Sequence, residues 1–335
     1  MPGPDARITV AGAGSIGCFI GGALARAGRK VTLLARPRMV EELQSCGLHL
    51  TDLSGFDERI PAARLSVTAD PAALKAASLV LVTVKSAATK GMAGEIAAQR
   101  TPGAVVLSLQ NGVDNLPALR SLLGETNVLG GVVGFNVVHM GEGRFHRGTS
   151  GQVVIEAGRA ELRALLAVPG LDLAVTADIA GVQWGKLLLN LNNALNALSG
   201  LPLREQLQDR AWRRLMAAQI EEALAVYAAA GIVPVPGTPI AARFLPRILR
   251  LPTAIFRAVA APMLQIDPEA RSSMWEDLVR RRPTEIDFLQ GAILRLARRH
   301  GVAAPLCERV AALVKRAEAA AAGPPGLTPD AVSAP

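Results

Sequence analysis

The sequence predicts an α/β protein in two parts: an N-terminal doubly wound sheet followed by an all-α C-terminal domain. Three observations carry that reading. A glycine-rich turn, Gly12-Ala13-Gly14-Ser15-Ile16-Gly17, stands between an apolar run at 8–11 and a helix-like run that ends at Gly28. Continuous apolar runs then recur at 78–84, 104–109 and 127–133, with helical patterns between them. Strands covered on both faces of a parallel sheet read this way. From Ile179 onward the period is helical. The expected units are therefore 1–177 and 178–320, with a tail at 321–335 whose Ala, Pro and Gly content predicts disorder.

The bulk composition suits a large enzyme. Of 335 residues, 50% are hydrophobic but only 3% aromatic, so the core must be built from Ala, Leu and Val. No apolar run reaches the roughly 18–20 residues of a membrane span. No charged-then-apolar leader opens the sequence, which gives a cytoplasmic expectation. Cys18, Cys46 and Cys307 are odd in number and far apart, so free thiols and no metal site are expected. The net charge of +8 comes with basic clusters at 210–214 and 280–282 but no nucleic-acid motif. Solvated helix faces and a site for anionic small molecules explain it best, without nucleic acid or membrane as partners.

The glycine turn has a chemical reading. Its first glycine permits the tight turn, the second lets the backbone approach a pyrophosphate, and the third lets helix pack on strand. The helix N-terminus adds N–H groups and partial positive charge. The second strand, 30–35, ends at Arg36-Pro37-Arg38. An acidic residue there would take the ribose 2′-OH of NAD, whereas an arginine suits the 2′-phosphate of NADP. Arg36 thus points to NADP(H), with Arg38 either helping or merely exposed. The weaker stretch 48–65 reads as a small hairpin or a loop. The run 78–84 ends at Lys85, on the side of the sheet where ligands bind, so Lys85 is either a ligand contact or a solvated loop lysine. Gln110-Asn111-Gly112 ends the next strand. Asn111 can present its amide to a ligand, though Asn-Gly is also a strong turn dipeptide. Residues 135–155 alternate and carry glycine, which predicts antiparallel strands at the sheet edge, with His139 and His146 read as hairpin residues ahead of a metal pair.

In the second part, Lys186 lies in an apolar helical run with Asn190 four residues on and Asn193 seven on. They share one face. Such a polar row on a leucine-rich helix is costly unless it meets a polar ligand, the alternative being a lysine that snorkels to water. A helix over 212–230 leads to prolines 234, 236 and 239. Residues 241–263 read as a packed helical excursion with its arginines outward. Ser272 or Ser273 can cap the next helix. Thr284 is expected to cap a long helix to Arg299, with Asp287 in the capping-box position and Glu285 in the first turn.

Over residues 7–318 these motifs resemble the ketopantoate reductase family (2-dehydropantoate 2-reductase). The resemblance rests on Gly12 to Gly17, Arg36, Val84-Lys85, Gln110-Asn111-Gly112, Lys186 with Asn190, Ser272-Ser273-Met274 and Thr284-Glu285-Ile286-Asp287. It implies a Rossmann-type NADP-binding domain and NADPH-dependent reduction of ketopantoate to pantoate. Lys186 would be the general acid, and Glu285 would bind the substrate hydroxyl, help place Lys186 and lie beside the cofactor. Asn190, Asn193 and Ser273 would bind substrate polar groups, and Asn111 would meet both substrate and nicotinamide. Lys85 and Arg36 would serve the cofactor, as would the turn residues Gly12, Ala13, Gly14, Ser15, Ile16 and Gly17. The expected partner is a small 2-oxo acid, and a homodimer is the assembly considered. One departure stands out. The second asparagine that the family often shows, eight residues after the lysine, is Ala194 here, with Asn193 one place earlier. That shift rotates a helical side chain by about 100°. Either the helix is locally irregular or Asn193 is an imperfect substitute, and a reductase of another 2-oxo acid is the nearest rival. A non-catalytic NADP-binding sensor is the rival of another class; the presence of both Lys186 and Glu285 argues against it.

Overall fold

The computed structural model describes residues 6–237, 240–261 and 266–334. Pro239 of the linker, the last two residues of the 241–263 segment and Pro335 lie outside the described residues. Contacts divide the chain into two compact units, Met1–Ile179 and Ala180–Pro335.

The first unit is Rossmann-like. Its elements are β1 (Arg7–Ala11), α1 (Ser15–Arg26), β2 (Lys30–Leu34), α2 (Pro37–Cys46), β3 (Leu48–Asp52), β4 (Asp57–Ile60), β5 (Ser66–Thr68), β6 (Leu79–Val82), α3 (Thr89–Gln99), β7 (Val105–Ser108), α4 (Asn115–Leu123), β8 (Val128–Val133), β9 (Val137–Gly141), β10 (Arg144–Arg147), β11 (Val153–Glu156), α5 (Ala160–Leu166) and β12 (Leu173–Thr176). The main sheet has the order β12-β11-β8-β7-β6-β1-β2-β5. From β8 to β5 every neighbouring pair is parallel. Strands β6, β7 and β8 are buried at every residue, which is why their sequences run apolar without alternation. The winding reverses between β1 and β6, and the crevice outside their carboxyl ends is the ligand side of such a sheet.

The segment 135–155 divides in a way that its alternation does not reveal. Only β11 joins the main sheet, antiparallel to β8. Strands β9 and β10 instead enter a second sheet of order β4-β3-β10-β9, and the 48–60 stretch is the β3–β4 hairpin of that sheet. The reason is an apolar face that needs covering. Leu48, Leu50 and Phe145 are buried in the same core as Phe19 and Leu24 of α1. Gly22 lets them approach: a Cβ there would lie 3.0 Å from Leu50 and 3.1 Å from Leu48. The two histidines have separate partners. His139 bonds Glu42 at 2.6 Å and His146 bonds Thr51 at 2.8 Å.

The second unit is helical: α6 (Ile179–Asn190), α7 (Asn192–Ser199), α8 (Leu203–Gln208), α9 (Arg210–Ala229), α10 (Leu245–Leu249), α11 (Thr253–Val259), α12 (Ser273–Val279), α13 (Gln290–His300), α14 (Pro305–Ala320) and α15 (Pro329–Ser333). Among the described residues no helix is long and apolar enough to cross a membrane. Two expectations fail here. Arg213, in a cluster read as solvated, is fully buried. Its guanidinium donates to the carbonyls of Leu207 (2.9 Å), Leu249 (3.0 Å) and Leu251 (2.9 Å) and lies 4.2 Å from the Phe256 ring. It thereby holds the α10–α11 excursion on α9, while Arg243, Arg247 and Arg257 stay exposed. The described part of the tail is not disordered either. The Leu327 N–H donates to the Leu198 carbonyl at 2.8 Å, Thr328 caps α15, and Val332 is fully buried. A single apolar anchor in an Ala-Pro-Gly context is enough when Arg309 also clasps the Val332 carbonyl at 3.0 Å.

Candidate functional site

The candidate residues fall into two sets, one in each unit. In the first, the glycine turn leaves β1 and is pinned to the end of β2: the N–H groups of Gly12 and Ala13 both donate to the Leu34 carbonyl, at 3.1 and 2.9 Å. Gly12 has φ +93°, and a Cβ on it would lie 2.3 Å from Val84 Cγ1. A Cβ on Gly17 would lie 2.6 Å from the Thr83 hydroxyl. Gly14 is different. It is exposed, and a Cβ there would meet only the Gly12 carbonyl, at 4.0 Å. Two glycines therefore serve packing, and the middle one leaves open space where a ligand would approach. No side chain caps α1, and no carboxylate stands in its first turn, which begins at Ser15 and Ile16. Its N–H groups and dipole thus present an anion site. These features fit a dinucleotide pyrophosphate.

Arg36 lies two residues beyond β2, at the N-cap position of α2 but without a side-chain capping bond, and is exposed. Arg38 faces another demand. Burial pushes the Glu42 carboxyl up, but hydrogen bonds from Gly143 and His139, with the charges of His139 and Arg38, hold it below its ordinary value. Lys85 is exposed three residues beyond Val82, the buried end of β6. Asn111 is half-buried in the loop after β7, next to Gly112 at φ +85°. Thr83, which the sequence reading passed over, fastens the turn by donating its hydroxyl to the Gly12 carbonyl at 2.8 Å. Gln110, so far only a member of the Gln110-Asn111-Gly112 motif, and Asn115, which drew no role, are both buried in polar contacts between the loops after β6 and β7. Their signal is a polar side chain on each flank of the Asn-Gly dipeptide.

In the second unit, Lys186, Asn190 and Asn193 are all half-buried, beside fully buried Leu188, Leu191 and Ala194. Gly185 brings α6 onto the linker: a Cβ there would lie 1.9 Å from the Val235 carbonyl. Lys186 is only half-buried as a residue, yet desolvation still governs its ammonium. It pushes the pKa down to about 8, against the upward pull of the Glu285 carboxylate. Lys186 and Glu285, 99 residues apart in sequence, thus come within range of each other's charge.

The helix is interrupted between the asparagines, at Leu191, but that residue keeps helical dihedrals (φ −58°, ψ −28°). The Gln290 amide donates to the Leu191 carbonyl at 2.9 Å. The interruption does not turn Ala194 outward. It stays fully buried, and Asn193 is the residue on the half-buried side. Ser272 caps α12, accepting from the Trp275 N–H at 3.1 Å, and donates to the Asn193 carbonyl at 3.0 Å. Half-buried Ser273 is thereby held next to the asparagine row.

The expected long helix from Thr284 is broken. Glu285 precedes a single 3-10 turn, Ile286–Phe288, and Leu289 leaves helical geometry (φ −104°, ψ −90°) before α13 begins. Thr284 accepts from the Ile286 N–H at 3.2 Å, a local turn in place of an N-cap. Asp287 pairs with Lys315 at 2.6 Å instead of closing a capping box. The break leaves Glu285 ahead of the 3-10 turn instead of in the first turn of a long helix.

Two family models match, the ketopantoate reductase PanE/ApbA model over residues 8–160 and its C-terminal companion over 178–318. The 2-dehydropantoate 2-reductase of Halobacterium salinarum is 29% identical over 321 residues, covering 93% of this chain and 99% of that protein. A PanE/ApbA family ketopantoate reductase structure from Ralstonia eutropha JMP134 superposes with a TM-score of 0.79 at 34% identity, covering 94% of this chain and 99% of that one. A D-mandelate dehydrogenase in a ternary structure with NADH and anilino(oxo)acetate shares the fold, with a TM-score of 0.78 at 21% identity and coverage of 94% and 99%. The chain belongs to the ketopantoate reductase family.

Proposed function

We propose that this family member catalyses the NADPH-dependent reduction of 2-dehydropantoate to pantoate, a step toward pantothenate and coenzyme A. The observation that carries the reading is Lys186: an amine on a half-buried polar row, its pKa lowered to about 8 by burial and steadied by Glu285. The glycine turn and α1 would hold the pyrophosphate, Arg36 the 2′-phosphate, and Lys85 and Asn111 the remainder of the cofactor. When bound, the reduced nicotinamide supplies a hydride. The ketone oxygen then gathers negative charge. A lysine with a pKa near 8 is still protonated at neutral pH and gives its proton more readily than an ordinary lysine. Glu285 keeps that proton on Nζ until it is needed and accepts a hydrogen bond from a substrate hydroxyl. Asn190, Asn193 and Ser273 orient the substrate by polar contacts. The similarity to relatives named 2-dehydropantoate 2-reductase supports the same reaction.

Asn193 in place of an asparagine at 194 favours one second reading, a reductase of a different 2-oxo acid. NADPH oxidation with ketopantoate, repeated with NADH and with a panel of 2-oxo acids, separates the two. Ketopantoate with NADPH is expected to give the highest kcat/KM. An equal or higher value on another acid sinks the ketopantoate assignment, and equal rates with NADH sink the role of Arg36.

A further inference from the structure

Between the loops after β6 and β7 runs a closed line of buried polar groups. Ser86, Thr89, Ser108, Gln110 and Asn115 are each 6% exposed or less. The hydrogen bonds follow one direction. The Gln110 amide donates to the Val84 carbonyl (2.9 Å) and to the Thr89 hydroxyl (2.7 Å). The Thr89 hydroxyl donates to Asn115 Oδ1 (2.8 Å). Asn115 Nδ2 donates to the Ser86 hydroxyl (2.9 Å) and to the Asn111 carbonyl (2.6 Å), and the Ser86 hydroxyl donates to that same carbonyl (3.3 Å). Ser108 Oγ anchors the start by donating to Gln110 Oε1 at 3.1 Å.

The line is attached on both sides of each candidate ligand residue. Val84 and Ser86 flank Lys85; Gln110 and Asn115 bracket Asn111. An ordinary loop pair would be tied by one or two backbone bonds. Here the side chains are buried, mutually satisfied and aligned head to tail, so each bond polarises the next and removal of one link strands a desolvated partner. Sheet packing alone has no need of them, because β6 and β7 are already parallel neighbours.

We infer that Thr89 and Asn115 are positioning residues: they form a latch that fixes Lys85 and Asn111 in one mutual register, the arrangement needed to grip the dinucleotide. This rests on the proposed NADP(H) role of those two residues.

The test compares Thr89→Val, which keeps shape but removes the hydroxyl, with Thr89→Ser, which keeps the hydroxyl. Two quantities are read below the unfolding temperature of each variant. One is the NADPH dissociation constant from fluorescence titration; the other is amide hydrogen exchange of the cofactor-free protein. Thr89→Val is expected to weaken NADPH binding about tenfold and to speed exchange in both 84–89 and 110–115, leaving β6 and β7 protected, while Thr89→Ser stays within about twofold of wild type. If Thr89→Val does not fold, Ser86→Ala removes the far end of the line, both the acceptor for Asn115 Nδ2 and the donor to the Asn111 carbonyl, and is expected to weaken binding about threefold. Wild-type affinity and exchange in the folded latch variant overturn the inference, as does a serine variant as impaired as the valine one. If wild type binds neither NADPH nor NADH, yet both loops loosen together in Thr89→Val, the proposed function fails and the latch stands.

Discussion

The glycine turn of the first unit and the lysine row of the second are polar sites made by opposite means. The turn works by leaving side chains out. Val84 and Thr83 fill the space where Cβ atoms of Gly12 and Gly17 would go, and backbone N–H groups remain as the chemistry. The row works by putting side chains in, and its main character, a lysine pKa of about 8, comes from burial, which Glu285 partly opposes. Damage to the first should be steric and shape-dependent, whereas damage to the second should be electrostatic and pH-dependent.

The largest effect should come from Lys186. Lys186→Ala is expected to lower kcat by roughly 10³-fold, within the range of a lost general acid, with NADPH affinity from titration unchanged. The turn offers a sharper contrast. Gly12→Ala places a methyl against Val84 at φ +93° and should destabilise the fold by ~1–3 kcal/mol in chemical denaturation, as well as abolishing cofactor binding. Gly14→Ala has room for its methyl and should unfold like wild type, yet bind NADPH at least roughly tenfold more weakly, about 1.4 kcal/mol. If both variants lose stability equally, the middle glycine serves packing too and the comparison breaks.

Arg36→Ala should weaken NADPH binding about tenfold and leave NADH binding within twofold, since one charge-assisted contact to a phosphate is worth ~1.5–3 kcal/mol. The smallest effect concerns pH. With Lys186 as the proposed proton donor, kcat in the reducing direction should be level below pH 8 and fall above it. Glu285 stabilises the ammonium and raises its pKa, so Glu285→Gln should move that falling limb to lower pH. A limb that moves upward, or stays where it is, removes Glu285 from the account of the lysine.

Much of this was legible because its causes are local. The glycine turn, the position of Arg36 after β2, and the buried strands β6, β7 and β8 follow from short-range patterning. The Lys186 row was legible because a charge among leucines is conspicuous. What the sequence hid depends on distant partners. Alternation in 135–155 announces strands but not that Leu48 and Leu50 of another segment, lying over Gly22, would draw β9 and β10 into a second sheet. The capping-box spacing at Thr284 is genuine, yet Asp287 finds Lys315 and Leu289 breaks the helix. Arg213 looked like its exposed neighbours because nothing local shows that four carbonyls, of Leu207, Gln208, Leu249 and Leu251, converge on it.

The docked C-terminal segment has a practical side. Val332 is three residues from the end of the chain, and its carbonyl is held by Arg309, while Leu327 is tied to α7. An expression plasmid trimmed to the Ala320 helix end would look harmless on composition grounds. It would in fact uncover the seat of Val332 and unhook a strand of chain from the helix that carries Asn193. Any truncation for expression is better made so that Leu327 to Val332 is retained.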